Sequence, residues 1–128
     1  MERRRAGSVE LWINPSCSKC QVATELLDEA GAQYTVRRYL EDPPTVDELN
    51  AVLRRLGLEP WDIARMNEPL ADELDLAHLP RDRRRWLDVM AANPLLIQRP
   101  LITADDGTTV IGRSEEAVRQ ALRASTPS

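Results

Sequence analysis

The sequence holds two cysteines, Cys17 and Cys20, and both lie in one Cys-x-x-Cys motif. The motif follows a partly alternating apolar segment at 8–13 and precedes a run with helical spacing, so we expect Cys17 at the N-terminal end of the first helix. Unpaired backbone N–H groups and the helix dipole favour an anion there, which should lower the pKa of Cys17. Cys20 lies one turn further on, close enough for a disulfide with Cys17.

Arginine greatly outnumbers lysine in this sequence. Sixteen of the 17 basic residues are arginine, and Lys19 is the exception. A GC-rich genome is one explanation. The other is chemical, since the planar guanidinium fork suits oxyanions. Two cysteines and a single histidine, His78, leave a four-ligand zinc site incomplete, so we expect no metal. His78 is expected at the surface, without a catalytic role.

The composition fits one globular domain. The chain has 128 residues, of which 42% are hydrophobic, and its net charge is −4. An acidic balance disfavours direct nucleic-acid binding. No apolar run reaches the roughly 18 residues of a membrane helix, and the N-terminus has no secretory signal pattern. With no long-range disulfide framework to build, the two cysteines favour a reducing, cytoplasmic setting.

The order of predicted elements indicates an α/β fold with a four-stranded mixed sheet. A βαβ unit comes first, a helical block follows, and a ββα unit ends the chain. We therefore expect a single domain over 1–128, with a core at about 8–41 and 94–123 and a helical insertion at about 42–93. The first two strands should be parallel, and the last two should meet at an Asp106-Gly107 hairpin turn.

Local signals place the individual elements. Ser16 or Ser18 is a candidate cap for the first helix, and Ser114 for the last. The expected strands and helices are a second strand at 33–40, helices at 46–56 and 82–92, a short helix at 60–66, and a final helix at 115–123.

Two segments resemble a known family. Asn14-Pro15-Ser16-Cys17-Ser18-Lys19-Cys20 is similar to the active-site loop of the glutaredoxin-linked arsenate reductases, and residues 93–102 are similar to the segment in which those proteins carry Asn-Arg-Pro before a core strand. The resemblance extends over roughly 8–123. It implies a thioredoxin-like fold, Cys17 as the nucleophile, and a cis Arg99–Pro100 bond with Pro100 as a structural proline.

The resemblance also implies an oxyanion site. Arg65, Arg99 and Arg113 match the three substrate arginines of the family, and we expect them to converge around Cys17. Arsenate is a dianion near neutral pH, so helix N–H groups and arginines would offset its repulsion of a thiolate. No bound cofactor is implied. The reductant would be an external thiol: glutathione or another low-molecular-weight thiol, glutaredoxin or thioredoxin.

The sequence departs from the family at two positions. Cys20 stands where typical members have serine or threonine, and Gln21 stands where many have arginine. The missing arginine removes positive potential beside Cys17. The additional cysteine permits a different second step, in which Cys20 releases arsenite and leaves a Cys17–Cys20 disulfide.

Cys20 also keeps two alternatives open. The Spx redox-sensing transcription regulators share this fold and carry a Cys-x-x-Cys at the same place. They bind RNA polymerase and use the disulfide as a switch. Asn14 and the three arginines favour the reductase, because a switch does not need them. The second alternative is a general thiol oxidoreductase of the same family that acts on a substrate other than arsenate.

Overall fold

A computed structural model of the chain describes residues 8–14, 16–104 and 106–125. Pro15 of the cysteine motif and Asp105 beside the expected hairpin turn lie outside the described residues. In chain order, the strands and helices are β1 (Ser8–Ile13), α1 (Ser18–Glu29), β2 (Gln33–Arg38), α2 (Val46–Leu56), α3 (Pro69–Glu73), α4 (Arg83–Ala92), β3 (Leu101–Thr103), β4 (Thr109–Ile111) and α5 (Glu115–Ser125).

The four strands form one mixed sheet in the order β2-β1-β3-β4. β1 and β2 are parallel, and α1 is the crossover that a parallel pair needs. β3 runs antiparallel to both β1 and β4. Gly107, with a φ of 94°, forms the turn between β3 and β4 and donates its N–H to the Ala104 oxygen at 2.9 Å. The expected α/β fold with a four-stranded mixed sheet is confirmed.

The chain divides into two compact units. One consists of the chain up to Tyr39 together with the chain from Arg99, and the other is Leu40–Gln98. The sheet, α1 and α5 belong to the first unit, whereas α2, α3 and α4 belong to the second. The expectation of one domain with an insertion at 42–93 stays a prediction. Within the described ranges, no helix is long and apolar enough to cross a membrane.

The first unit buries one face of its sheet against α1 and α5. On β1, Val9, Leu11 and Ile13 alternate onto this face and are at most 8% exposed. Fully burying a side chain of this size stabilises the fold by about 1.5–3 kcal/mol. The remaining buried members of this core are Cys20, Ala23, Leu27, Ile102, Val110, Val118 and Ala121. Because Cys20 belongs to the core, the start of α1 is fixed against the end of β1.

In the second unit, α2 and α4 confirm the helices expected at 46–56 and 82–92 to within one residue. α2 begins with a capping box in which Thr45 Oγ1 accepts from the Glu48 N–H at 3.1 Å and Glu48 Oε1 accepts from the Thr45 N–H at 2.9 Å. It ends at Gly57, whose φ of 72° suits glycine. Arg83 of α4 donates to Asn50 Oδ1 of α2 at 2.8 Å, so the two helices are joined.

The expected short helix at 60–66 is wrong over most of its length. Only Pro60–Asp62 forms a 3₁₀ turn. Beyond it, the Ile63 carbonyl accepts from the Gln98 N–H at 3.0 Å, and the Arg65 N–H donates to the Leu96 carbonyl at 2.7 Å. The Arg65 N–H thus donates to the Leu96 carbonyl instead of to the residue four positions earlier, as it would in a helix, because one N–H has a single hydrogen to donate.

Two further boundaries differ from the sequence-based expectation. β2 ends at Arg38, so Tyr39 and Leu40, which were expected in the strand, follow it as a turn. α3 lies in a segment for which no element was predicted. Its five residues begin at Pro69, which suits the first turn of a helix, but they are too few to show an apolar period.

Candidate active site

Cys17 occupies the N-cap of α1, at the end of the loop that follows β1. Its N–H donates to the Asn14 carbonyl at 2.9 Å, and the Asn14 side-chain Oδ1 accepts from the Ser16 N–H at 3.0 Å. Ser16 and Ser18, the expected caps, are therefore not the N-cap residue. The Cys17 sulfur therefore lies at the N-terminus of α1, beside the backbone N–H groups of Lys19 and Cys20.

The pKa of the Cys17 thiol is lowered from its usual range. Burial alone would raise it, but four contacts favour the thiolate and outweigh burial. These are the Cys20 backbone N–H, the Arg99 guanidinium, the Cys20 thiol and the Lys19 backbone N–H. Cys17 is half-buried and free of any disulfide, so a small oxyanion can reach its sulfur, and the lowered pKa favours the reactive thiolate form.

Cys20 has the opposite character. Its side chain is 1% exposed, and burial raises its pKa to about 12. The Asn14 backbone N–H opposes this shift, whereas the charge of Cys17 adds to it. Cys20 is also free of any disulfide. Of the two cysteines, Cys17 is therefore chemically better suited to act as a nucleophile, whereas Cys20 keeps its proton near neutral pH.

Arg99 brings a partly buried guanidinium to Cys17. It stabilises the Cys17 thiolate, and it also lies beside the Tyr39 hydroxyl. Its Nε and Nη1 atoms are buried and have no hydrogen-bond partner among the residues that the structure describes. The peptide bond between Arg99 and Pro100 is cis, as the resemblance implies. Buried charged donors without partners are unusual in folded proteins, and they suit an anion.

Tyr39 is a site residue that the sequence analysis missed. Its side chain is fully buried, and burial raises the pKa of its hydroxyl well above its usual range, while Arg99 opposes that shift. The hydroxyl therefore stays neutral beside the guanidinium. The sequence placed Tyr39 in an ordinary strand, and a phenol at a strand end is too common to indicate a site.

Arg113 lies beside the same segment. Its side chain is exposed, and Nη1 donates to the carbonyl oxygen of Arg99 at 3.0 Å. The preceding residue, Gly112, donates its N–H to the carbonyl of Pro100 at 2.8 Å. Within the first unit, the structure thus brings Arg99 to Cys17 and Arg113 to the backbone of Arg99; the expected convergence of Arg113 on Cys17 stays a prediction.

Arg65 belongs to the second unit, in the loop before α3. Its side chain is 16% exposed, and Nη1 lies 3.2 Å from Glu68 Oε2 without the geometry of a hydrogen bond. A role for Arg65 at the Cys17 site stays a prediction.

His78 is on the surface, as expected. Its ring Nδ1 lies 2.7 Å from Asp75 Oδ1, and this contact raises the pKa of His78. In the part of the chain that the structure describes, no group of three or more His, Cys, Asp or Glu side chains could hold a metal ion.

Comparison with known proteins identifies the family. The ArsC family model matches residues 12–121, a range that includes both cysteines and the three arginines. The chain belongs to the ArsC family.

This ArsC-family chain is similar to both named and unnamed relatives. It is 60% identical over 117 residues to the Streptomyces viridochromogenes "Uncharacterized protein in glnII region", covering 89% of this chain and 98% of the relative. It is 33% identical over 115 residues to the arsenate reductase of Neisseria meningitidis, covering 89% and 97%. The fold matches the arsenate reductase from Vibrio cholerae with a TM-score of 0.83 and 34% identity, covering 94% and 99%. The predicted family and thioredoxin-like fold are confirmed.

Proposed function

We propose that this ArsC-family protein is an enzyme that reduces arsenate, with Cys17 as the nucleophile. One observation carries the proposal: the Cys17 thiolate lies beside the Arg99 guanidinium, whose buried Nε and Nη1 have no partner among the described residues. A thiolate alone would serve many reactions. A thiolate beside unused, charged N–H donors specifically suits an electrophile that is itself an oxyanion.

In the first step, the Cys17 thiolate attacks arsenic and a sulfur–arsenic bond forms. One arsenic–oxygen bond breaks, and the oxygen leaves as water after protonation. Arsenic is still pentavalent at this stage. The oxygens of the oxyanion bind the Arg99 guanidinium and the N–H groups at the start of α1, which offset the repulsion between the thiolate and the dianion. Arg113 and Arg65 are the other proposed substrate arginines, by their match to the family.

In the second step, Cys20 is the proposed resolving thiol. Its sulfur attacks the sulfur of Cys17, so that a disulfide forms and the sulfur–arsenic bond breaks. The bonding pair goes to arsenic, which leaves as arsenite; two thiols have lost two electrons and arsenic has gained two. Cys20 must lose its proton during the attack. Because the pKa of Cys20 is about 12 in the free protein, this proton is lost during the attack rather than before it.

An external thiol then reopens the disulfide. We infer a small thiol such as glutathione, or glutaredoxin or thioredoxin, as the reductant, in keeping with the family. Turnover that regenerates two thiols needs a reducing compartment, and this argues for the cytoplasm.

The deciding experiment is arsenate-dependent oxidation of a thiol reductant by the purified protein. We expect steady turnover in the wild type and none in Cys17→Ser, with both proteins equally folded. Thiol oxidation with other oxyanions but not arsenate would indicate the general oxidoreductase. A Cys17–Cys20 disulfide without turnover, together with capture of purified RNA polymerase, would indicate the Spx-like switch; either result contradicts the proposal.

A further inference from the structure

The Arg99 guanidinium contacts Cys17, although two of its nitrogen atoms make no hydrogen bond with the described residues. Nε and Nη1 are buried and have no partner among the described residues, so these atoms do not fix the orientation of the group. Hydrogen bonds of this kind usually fix the orientation of an arginine guanidinium, because this rigid planar group lies at the end of a flexible side chain. The Cys17 sulfur and the Tyr39 hydroxyl contact the guanidinium, and the backbone of Arg99 determines the point from which its side chain extends towards them.

That backbone is held from two adjacent residues of the β4–α5 junction. Arg113 Nη1 donates to the carbonyl of Arg99 at 3.0 Å, and the Gly112 N–H donates to the carbonyl of Pro100 at 2.8 Å. The approach is close, because a Cβ at Gly112 would lie 2.5 Å from the Ile102 side chain and 3.2 Å from Pro100 Cγ. Arg113 and Gly112 thus bind the carbonyl oxygens of Arg99 and Pro100, respectively.

We propose that Arg113 is a positioning residue, which holds the backbone of Arg99 so that the Arg99 guanidinium faces Cys17; the proposal rests on the function proposed above. The match to the family makes Arg113 a substrate ligand. The geometry gives it a second task that is present before any substrate arrives, since one of its N–H donors is already engaged with the Arg99 carbonyl. Arg113 therefore acts on Cys17 through Arg99.

The consequence can be measured without arsenate. Arg99 is the arginine side chain that stabilises the Cys17 thiolate, beside the N–H groups of Lys19 and Cys20 and the Cys20 thiol. If Arg113 positions Arg99, its removal should raise the pKa of Cys17. Alkylation by iodoacetamide reports the thiolate, and Cys20, with a pKa of about 12, stays protonated near neutrality.

The experiment measures the alkylation rate of Cys17 against pH in four proteins: wild type, Arg113→Ala, Arg99→Met and the double variant. Peptide mass spectrometry locates the label. We expect Arg113→Ala to move the midpoint upward and to slow alkylation near neutrality by about 2- to 10-fold, the effect that corresponds to the net contribution of a single hydrogen bond. In the Arg99→Met background, Arg113→Ala should change nothing further. Arg123→Ala is the control, because Arg123 is an exposed arginine of α5 whose partner is Glu116.

Two results would overturn the proposal. An unchanged midpoint in Arg113→Ala shows that Arg99 keeps its position unaided. An equal upward shift with and without Arg99 shows that Arg113 acts on Cys17 directly, through its charge. If Arg113→Ala does not fold, Arg113→Met keeps the aliphatic stem and runs through the same cycle. Because iodoacetamide takes the place of arsenate, a failure of arsenate turnover leaves this test intact.

Discussion

Cys20 lies buried one helical turn beyond Cys17, and the two thiols have pKa values shifted in opposite directions. The Cys17 pKa is lowered because backbone N–H groups and Arg99 outweigh its burial. The Cys20 pKa is raised to about 12, first by its burial in the core and then by the charge of Cys17. This asymmetry suits the two cysteines to the different parts proposed for them, with Cys17 as the nucleophile and Cys20 as the resolving thiol.

Arg99→Met should separate activity from stability. Removing the guanidinium should lower the arsenate turnover rate by about 10²–10³-fold, the usual effect of losing one oxyanion donor. The melting temperature should stay level or rise, because the free protein buries two N–H-bearing atoms of Arg99 without partners among the described residues. Kinetics and thermal unfolding on the same preparations check this. Parallel losses of turnover and stability would instead make Arg99 a structural arginine.

Tyr39→Phe should weaken catalysis while keeping the core filled. The change removes only the hydroxyl beside Arg99, so kcat/KM for arsenate should fall by about 2- to 10-fold, as for the loss of one hydrogen bond, and less than in Arg99→Met. Tyr34→Phe is the matched control, because the Tyr34 hydroxyl donates to Asp28 Oδ1 at 2.7 Å on the surface. A Tyr39→Phe enzyme with wild-type kinetics and a reduced melting temperature would assign Tyr39 to packing alone.

Cys20 should make stability fall in alkali. Its pKa rises from 9.0 to about 12 on folding, so the folded state holds this proton more tightly than the unfolded state. The contribution of the protonated Cys20 thiol to the free energy of unfolding is fully present below pH 9.0, and it is lost as the pH rises towards about 12. Denaturant unfolding over this range should show a steeper decline in the wild type than in Cys20→Ala. Equal slopes in the two proteins would contradict the raised pKa.

The sequence predicted the parts of the site that depend on local order. A strand followed by Cys-x-x-Cys and a helical run places Cys17 at a helix terminus wherever the rest of the chain goes. The resemblance added Arg99 and the cis bond to Pro100. The mixed sheet followed from the βαβ and ββα patterns together with the Asp106-Gly107 turn signal.

The remaining features depend on tertiary contacts that no local pattern encodes. Tyr39 and Arg99 are 60 positions apart in the chain, and nothing in the segment around Tyr39 indicates an arginine beside its hydroxyl. The engagement of Arg113 with a backbone carbonyl is equally hidden, since a carbonyl belongs to every residue. The expected helix at 60–66 was wrong for the same reason: its backbone groups bond to residues 96 and 98 instead.

The central claim is that Cys17 attacks arsenate and Cys20 then displaces arsenic from Cys17. A single turnover with arsenate, in the absence of any reductant, tests this claim most directly. Mass spectrometry of the intact protein reads the outcome. The wild type should lose the mass of two hydrogens, form the Cys17–Cys20 disulfide and release one arsenite, because a well-placed internal thiol has an effective molarity of up to about 10⁵–10⁸ M. Cys20→Ser should stop at an arsenic adduct on Cys17 and release arsenite only when an external thiol is added. A wild-type protein that retains arsenic on Cys17 while Cys20 stays a free thiol would contradict the account.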